Sequence, residues 1–479
     1  MPAGTRSSFG WTAKSLSVIG IIAWASWLHA ADAPDARFSS SLFDGKSLSG
    51  WTVENGCDIA VSDGLLVLQG GDGWLRSDLT YSDFQLHVEW KALKASEYDA
   101  GIYIRTLAEG MPFPKAAHQV NLLEGKEGNI GNVPGASSTG LIKRGDWNAF
   151  DITVIGDTVS LSINGKEAYK AKGLARAAGY IGLQCEVPKG GQFQFRNLRV
   201  TELGYRALYN GKDLAGWEGA GQPAEKCWQV RDGLLECTGA EGPWLRSQEE
   251  FGDFNLRIEY QVSAEGNSGV YVRVPADGNH HRENGEAPPA GFEVQILDDA
   301  APKYKDLKDY QFSASVYDIA GAMRRVSKPA GEWNTLEIDA RGQQISVSHN
   351  GVVVVEVTEE KFPLIKLRQT SGFLGLQNHS TLVKFRNLRI GPPLPRPREF
   401  NAPRTPLHSP LEPRRQQQPF GKILDRQRPV SEIARRQARI DLHHDRLFGT
   451  ILGNDQVDPD IAAKARHRLG GRQRCPLQG

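Results

Sequence analysis

Along most of the chain apolar residues return at every second position. Phe84, Leu86 and Val88 alternate with Gln85, His87 and Glu89, and Val159, Leu161 and Ile163 alternate with Ser160 and Ser162. A period of two marks a strand with one buried face, because successive side chains leave opposite faces of a sheet. Asn164-Gly165 and Asn350-Gly351 follow such runs, and Asp63-Gly64 and Asp232-Gly233 separate others. These dipeptides reach the positive φ angles of a type I′ hairpin turn. Helical periodicity is almost absent before residue 430. Many short strands joined by Gly-containing turns predict an all-β chain built as sandwiches of two antiparallel sheets.

The pattern is written twice. LFDGKSLSGW (42–51) returns as LYNGKDLAGW (208–217), DFQLHVEW (83–90) as DFNLRIEY (253–260), and GIYIR (101–105) as GVYVR (269–273). Further on, GDWN (145–148) returns as GEWN (331–334), IGLQ (181–184) as LGLQ (374–377) and FRNLRV (195–200) as FRNLRI (385–390). An unchanged order of so many segments makes them two homologous domains, near 38–202 and 205–391. In the closing strand of each copy the apolar parity flips: Phe193 and Phe195 against Leu198 and Val200, then Val383 and Phe385 against Leu388 and Ile390. A one-residue slip at Asn197 and Asn387 predicts a β-bulge, the Asn either marking a nearby site or ending the bulge's hydrogen bonds.

The two ends of the chain depart from the repeat. Arg6 and Lys14 precede an apolar run from Leu16 to Leu28, and Leu28-His29-Ala30 supplies a cleavage pattern, so residues 1–30 read as a secretory signal peptide, with an uncleaved anchor as the alternative. No later stretch reaches the length of a membrane span, so the mature chain is expected to carry no transmembrane segment and to work secreted, in the periplasm or at the cell envelope. Residues 392–479 open on Pro392-Pro393-Leu394-Pro395 and continue rich in Arg, Gln and Pro, with one helical pattern from Val430 to Leu442. A largely disordered basic tail is expected; a basic arm for an acidic surface, or a misplaced gene end, are the alternatives.

Composition changes this picture little. The chain has 479 residues and 57 Lys+Arg against 56 Asp+Glu, a net charge of +1 that gives no whole-molecule reason to bind nucleic acid. From residue 391 onward the basic residues lead 17 to 9, leaving the duplicated body mildly acidic. Five cysteines are too few for a disulfide scaffold, and no CxxC pair offers a zinc site. Cys227 and Cys237 flank the Asp232-Gly233 turn, but a two-residue turn pairs Trp228 with Cys237 and leaves Cys227 on the other face, so free thiols are expected. Trp51, Trp217, Trp147 and Trp333 recur at equal places and read as core.

The LFDGKSLSGW-like opening, GVYVR, EVQILD (293–298), GEWN and FRNLRI together resemble the 3-keto-disaccharide hydrolase domain family. The resemblance covers about residues 38–391. It implies two tandem concanavalin A-like jelly-roll sandwiches, exported and carbohydrate-active, acting on glycosides oxidised at C3 or binding saccharide without catalysis. A ketone at C3 acidifies the hydrogen at C2, so such a site needs a base, an acid for the leaving oxygen, and an electrophile for the enolate.

In the second copy Glu293 and Gln295 share one strand face opposite Val294 and Ile296, and Gln377 and His379 share parity in LQNH. The resemblance points to Glu293 as base or metal ligand, His379 or Tyr317 as acid, and Arg273 as the clamp on an oxyanion or hydroxyl, with Gln295, Gln377 and Asp298 toward the substrate. The first copy has Gln119 and Asn121 where the second has Glu293 and Gln295, and an amide takes no proton at neutral pH. It therefore reads as the binding or supporting copy, through Arg105, Gln119 and Asn121, although His118 could restore a base. The loop 275–291 holds His280, His281, Glu283 and Glu286, ligand types for a divalent metal; it reads foremost as a solvated loop rimming the second site. The rival readings of the whole are a lectin-like binder and an adhesion module.

Overall fold

The computed structural model describes residues 36–395 apart from 116–117, 282–287 and the side chain of Lys189. The expected signal peptide, Glu283, Glu286 and all of the tail beyond Pro395, with its helical pattern at 430–442, lie outside the described residues. What is described is all-β: two jelly-roll-like sandwiches, each an eight-stranded sheet facing a five-stranded one.

In the first sandwich the five-stranded sheet runs Trp51–Asn55, Asp72–Tyr81, Gly179–Glu186, Gly101–Thr106, His118–Asn121. In the second it runs Trp217–Gly219, Leu245–Phe251, Gly372–Leu376, Asn267–Val274, Phe292–Leu297, the same order strand for strand. The eight-stranded sheets match as well, each centred on a closing strand, Phe193–Leu203 and Val383–Gly391. Apolar alternation explains the layering. Val270, Val272, Val294 and Ile296 enter the core between the sheets, and Tyr271, Glu293 and Gln295 must then leave by the outer face. Each fully buried Leu or Phe contributes about 2 kcal/mol to holding the layers together.

The turns follow from local chemistry. Asn164 and Gly165 take φ of 52° and 79°, and Asp232 and Gly233 take 52° and 77°, as a type I′ hairpin requires. The bulges sit at Asn197 and Asn387, both at φ 52°. There the pairing of the closing strand shifts by one residue. Each Asn side-chain amide donates to the neighbouring strand's carboxylate, Glu89 at 2.8 Å and Glu259 at 2.7 Å. Both bulges lie on the eight-stranded sheets, away from the outer face that carries Glu293. Trp51 and Trp217 are core, but Trp147 and Trp333 are only half-buried. Each instead carries an Arg guanidinium 4.0 Å above its ring, Arg196 and Arg386. Trp228 pairs with Cys237 in register, and the four described cysteines are free thiols.

The sandwiches are joined by buried charge. Glu202, at the end of the first copy's closing strand, accepts from Arg257 Nη1 and Arg389 Nε of the second, each at 2.5 Å, and all three are almost fully buried. Arg257 also donates to the Thr80 carbonyl at 2.6 Å. Arg257 is also paired with Glu337 at 2.9 Å within its own sandwich. Such a cluster ties the two bodies together, because removing Glu202 would leave buried positive charge short of its carboxylate.

Candidate active site

On the outer face of the second copy's five-stranded sheet lies a cavity of about 310 Å³, lined among others by Glu293, Gln295, Tyr317, Gln377 and His379. The structure thus gathers five of the residues singled out from the sequence. Strand parity delivers Glu293 and Gln295. The segment after the strand folds back along it, with Tyr317 N–H donating to the Glu293 carbonyl at 2.9 Å, and so sets the Tyr317 ring at the cavity wall. Gln377 lies just past the strand Gly372–Leu376, two strands in from Glu293, its amide donating to the Tyr271 hydroxyl at 3.1 Å, and His379 stands exposed on the rim. Gly269 makes room: a Cβ there would stand 2.1 Å from Glu293 Oε1.

The loop before the strand supplies what spacing alone did not place. His280 Nε2 stands 2.7 Å from Glu293 Oε2, and the ligand atoms of His280, His281 and Glu293 lie within 4.8 Å of one another. His280 Nδ1 is 3.2 Å from the Gly278 carbonyl, which can only accept, so Nδ1 carries a proton. The contact between Nε2 and the carboxylate therefore holds one further proton between an imidazole and a carboxyl group. Stacking against Tyr271, with ring centroids 4.9 Å apart, orients the imidazole. Arg368 donates to the carbonyls of His280 and Gly291, tying His280 to the residue that precedes the strand Phe292–Leu297. Burial, then the charge of His280, depress the basicity of His281, while Glu293 and Asp318 act against them. The loop is therefore more than a solvated rim. Its His-His pair was the available signal, but no strand or helix fixes where such a pair lands.

Arg273 goes elsewhere. Its guanidinium is fully buried and donates to the Gly252 carbonyl at 2.7 Å, to the Gly342 carbonyl and to Asp253 at 3.0 Å. Arg105 does the same in the first copy, to Ser82, Gly156, Arg176 and Asp83. Burial pushes both down to about 10. The physical reason is a second irregularity: Arg105 and Arg273 have φ of 47° and 53°, and the pairing of the latter strand shifts between Tyr271 and Val274. The side chain two residues beyond Tyr271 consequently leaves the face that Tyr271 occupies, and both arginines brace turns. Asp298 is also outside the cavity, accepting from the Glu265 N–H at 2.8 Å.

The first copy's counterpart is closed on itself. Gln119 donates to Gln184 Oε1, and Gln184 donates to Glu186 at 2.9 Å. Asn121 accepts from the Leu123 N–H at 2.6 Å. His118 Nε2 accepts from the Ala175 N–H at 2.9 Å, which consumes the lone pair a base would use, and burial lowers its basicity further. A larger cleft of about 410 Å³ lies at the seam of the two sandwiches. Its charged groups are already matched, Arg386 with Glu259 at 2.7 Å among them, and it lacks the convergence of ionisable groups seen around Glu293.

Comparison with known proteins follows the same division. The pattern of the 3-keto-alpha-glucoside-1,2-lyase-like domain matches residues 39–201 and again 204–391. A 3-keto-disaccharide hydrolase of Bacteroides thetaiotaomicron is 28% identical over 240 residues, covering 42% of this chain and 83% of that protein. Among solved structures, two from Parabacteroides distasonis, each provisionally described as a glycosyl hydrolase, are 24% and 26% identical. Both cover 39% of this chain, and they cover 93% and 98% of their own, with TM-scores of 0.34 and 0.32.

Proposed function

Because the chain belongs to the 3-keto-alpha-glucoside-1,2-lyase-like domain family, we propose that its second sandwich cleaves 3-keto-glycosides or 3-keto-disaccharides by base-assisted loss of the C1 substituent. The observation that carries this reading is the 2.7 Å pairing of His280 Nε2 with Glu293 Oε2 at the wall of the cavity. The dyad removes the C2 proton, and the electron pair of that C–H bond forms the enolate of the C3 ketone. Collapse of the enolate restores the C3 carbonyl, forms C1=C2 and breaks the bond from C1 to the leaving oxygen. His379 or Tyr317 gives that oxygen its proton. Water adding at C1 with a proton returning to C2 completes hydrolysis; release before that step makes the enzyme a lyase. With Arg273 committed to turns, His281 takes over the enolate oxygen. The concanavalin A-like form of the sandwiches, and a chain exported to the periplasm, envelope or medium, belong to the same reading.

One observation favours a cation-assisted form of the reaction. Two imidazoles and a carboxylate within 4.8 Å are a donor set that suits a borderline divalent ion such as zinc or manganese. His280, His281 and Glu293 would hold it, and its chemistry there would be polarisation of the C3 carbonyl. Dialysis against a chelator and return of single metals distinguishes the two forms.

Glu293→Gln is expected to lower turnover of a 3-keto-glycoside by about 10²- to 10⁴-fold while binding stays measurable. A wild-type protein that binds the glycoside but releases no aglycone is a lectin-like binder, and one without any saccharide affinity is an adhesion module.

A further inference from the structure

The two copies differ in how their outer-face amides are satisfied. In the first, Gln119 feeds Gln184 and Gln184 feeds Glu186, so each carbonyl or carboxylate receives an N–H. In the second, the position of Gln119 holds Glu293, which has no N–H to give. Gln377, the counterpart of Gln184, turns its amide N–H to Tyr271, and its carbonyl oxygen is buried with no donor. Asn267, the counterpart of Asp99, likewise has a buried side-chain carbonyl oxygen without a partner. Both residues line the cavity beside Glu293.

Neither orphan sits on slack backbone. Asn267 is clasped by one hydroxyl, its N–H donating to Thr381 Oγ1 at 2.9 Å and its carbonyl accepting from the same oxygen at 2.6 Å. Gln377 N–H donates to the Gly269 carbonyl at 2.9 Å, and its own carbonyl accepts from Ser268 Oγ at 2.8 Å. A buried acceptor left without a donor is a net cost to the folded state. The fold therefore maintains two such acceptors on held backbone, next to a carboxylate, in a cavity whose Tyr317 hydroxyl already accepts from Gln311 at 3.0 Å. The two unfed carbonyl oxygens beside a carboxylate are what a ligand carrying hydroxyl donors would complement.

Resting on the reading of this cavity as a glycoside site, we infer that Asn267 and Gln377 are specificity-determining residues, each turning its buried carbonyl oxygen toward the bound sugar to accept a hydrogen bond from a separate free hydroxyl. The cavity then selects a sugar with both hydroxyls intact and rejects deoxy or O-methyl sugars at those positions. Asn267 is new to the site by this argument; nothing in its sequence surroundings singles it out.

The test is a cycle of ligands against variants. Binding of methyl 3-keto-glucoside and its 2-, 4- and 6-deoxy counterparts is measured by calorimetry with the wild type, Asn267→Leu and Gln377→Met, both near-isosteric replacements that remove the carbonyl. The wild type is expected to bind two of the deoxy sugars at least about tenfold more weakly than the parent. Each variant should lose discrimination at one position and retain it at the other. Conservative Gln377→Glu, which keeps an acceptor oxygen, should keep its discrimination. Equal binding of parent and deoxy sugars by the wild type overturns the inference and leaves the proposed function standing, as does undiminished discrimination in both variants. If the wild type binds none of these sugars, inference and proposed function fall together.

Discussion

His349 offers a sharp test of how dry the second core is. Its imidazole is 1% exposed, lies 2.9 Å from the Tyr260 hydroxyl, and stacks on that ring at 5.9 Å. Burial foremost, and the charge of Lys328 second, push its pKa down to about 3 from 6.5. In the unfolded chain the ring takes a proton as pH falls through 6.5; in the folded protein it stays neutral until about 3. A depressed folded value means that stability is complete above the unfolded value and drains away as pH falls toward the folded one, at about 1.4 kcal/mol per pH unit. Between pH 7 and pH 5, His349 alone should account for a loss of about 2 kcal/mol. His118, also depressed, adds to the same trend in the first copy. Urea unfolding of the wild type and His349→Gln at pH 7, 6 and 5 isolates the single residue, with the variant less stable at pH 7 but falling more slowly. Parallel curves would refute the reasoning, because they would mean that the folded core admits the proton as readily as water does.

Two further outcomes follow from the geometry. Glu202→Gln leaves Arg257 and Arg389 without their shared carboxylate at the seam; the expected cost is about 3 kcal/mol or more, with calorimetry resolving two transitions where the wild type gives one. A single undisturbed transition would mean that the seam charges do not couple the sandwiches. Gly269→Ala puts a methyl 2.1 Å from Glu293 Oε1 and must displace the carboxylate. Turnover should fall about as far as in Glu293→Gln, and wild-type turnover in a folded Gly269→Ala protein would remove Glu293 from the reaction.

Part of the candidate site was legible because strands are periodic. Glu293, Gln295 and Gln377 could be assigned to an outer face from parity alone, since the core claims the alternate positions. Arg273 shows where parity stops working. One residue at φ 53° resets the alternation, and a guanidinium that counting would send outward goes to the turns at Gly252 and Gly342. His280 and His281 were visible as ligand types, but they sit in a loop with no period, and tertiary contacts, the stacking on Tyr271 and the donation of Arg368 to the His280 and Gly291 carbonyls among them, set them against Glu293. The first copy's demotion was readable as amides in place of acids. That His118 cannot repair it was not, because the donor that occupies its ring, Ala175 N–H, is 57 residues away.

The chain alone determined its duplication, its strands and its turns, because these rest on contacts between near neighbours: alternation of side chains, and Asn or Asp with Gly where φ must turn positive. Tertiary structure decided which polar groups meet. The pairing of His280 with Glu293, the burial of Glu202 between two arginines, and the unfed carbonyls of Asn267 and Gln377 each depend on segments distant in sequence. Hydrogen bonds and ion pairs act over a few ångströms with fixed direction, so their partners are settled only once the sheets have closed.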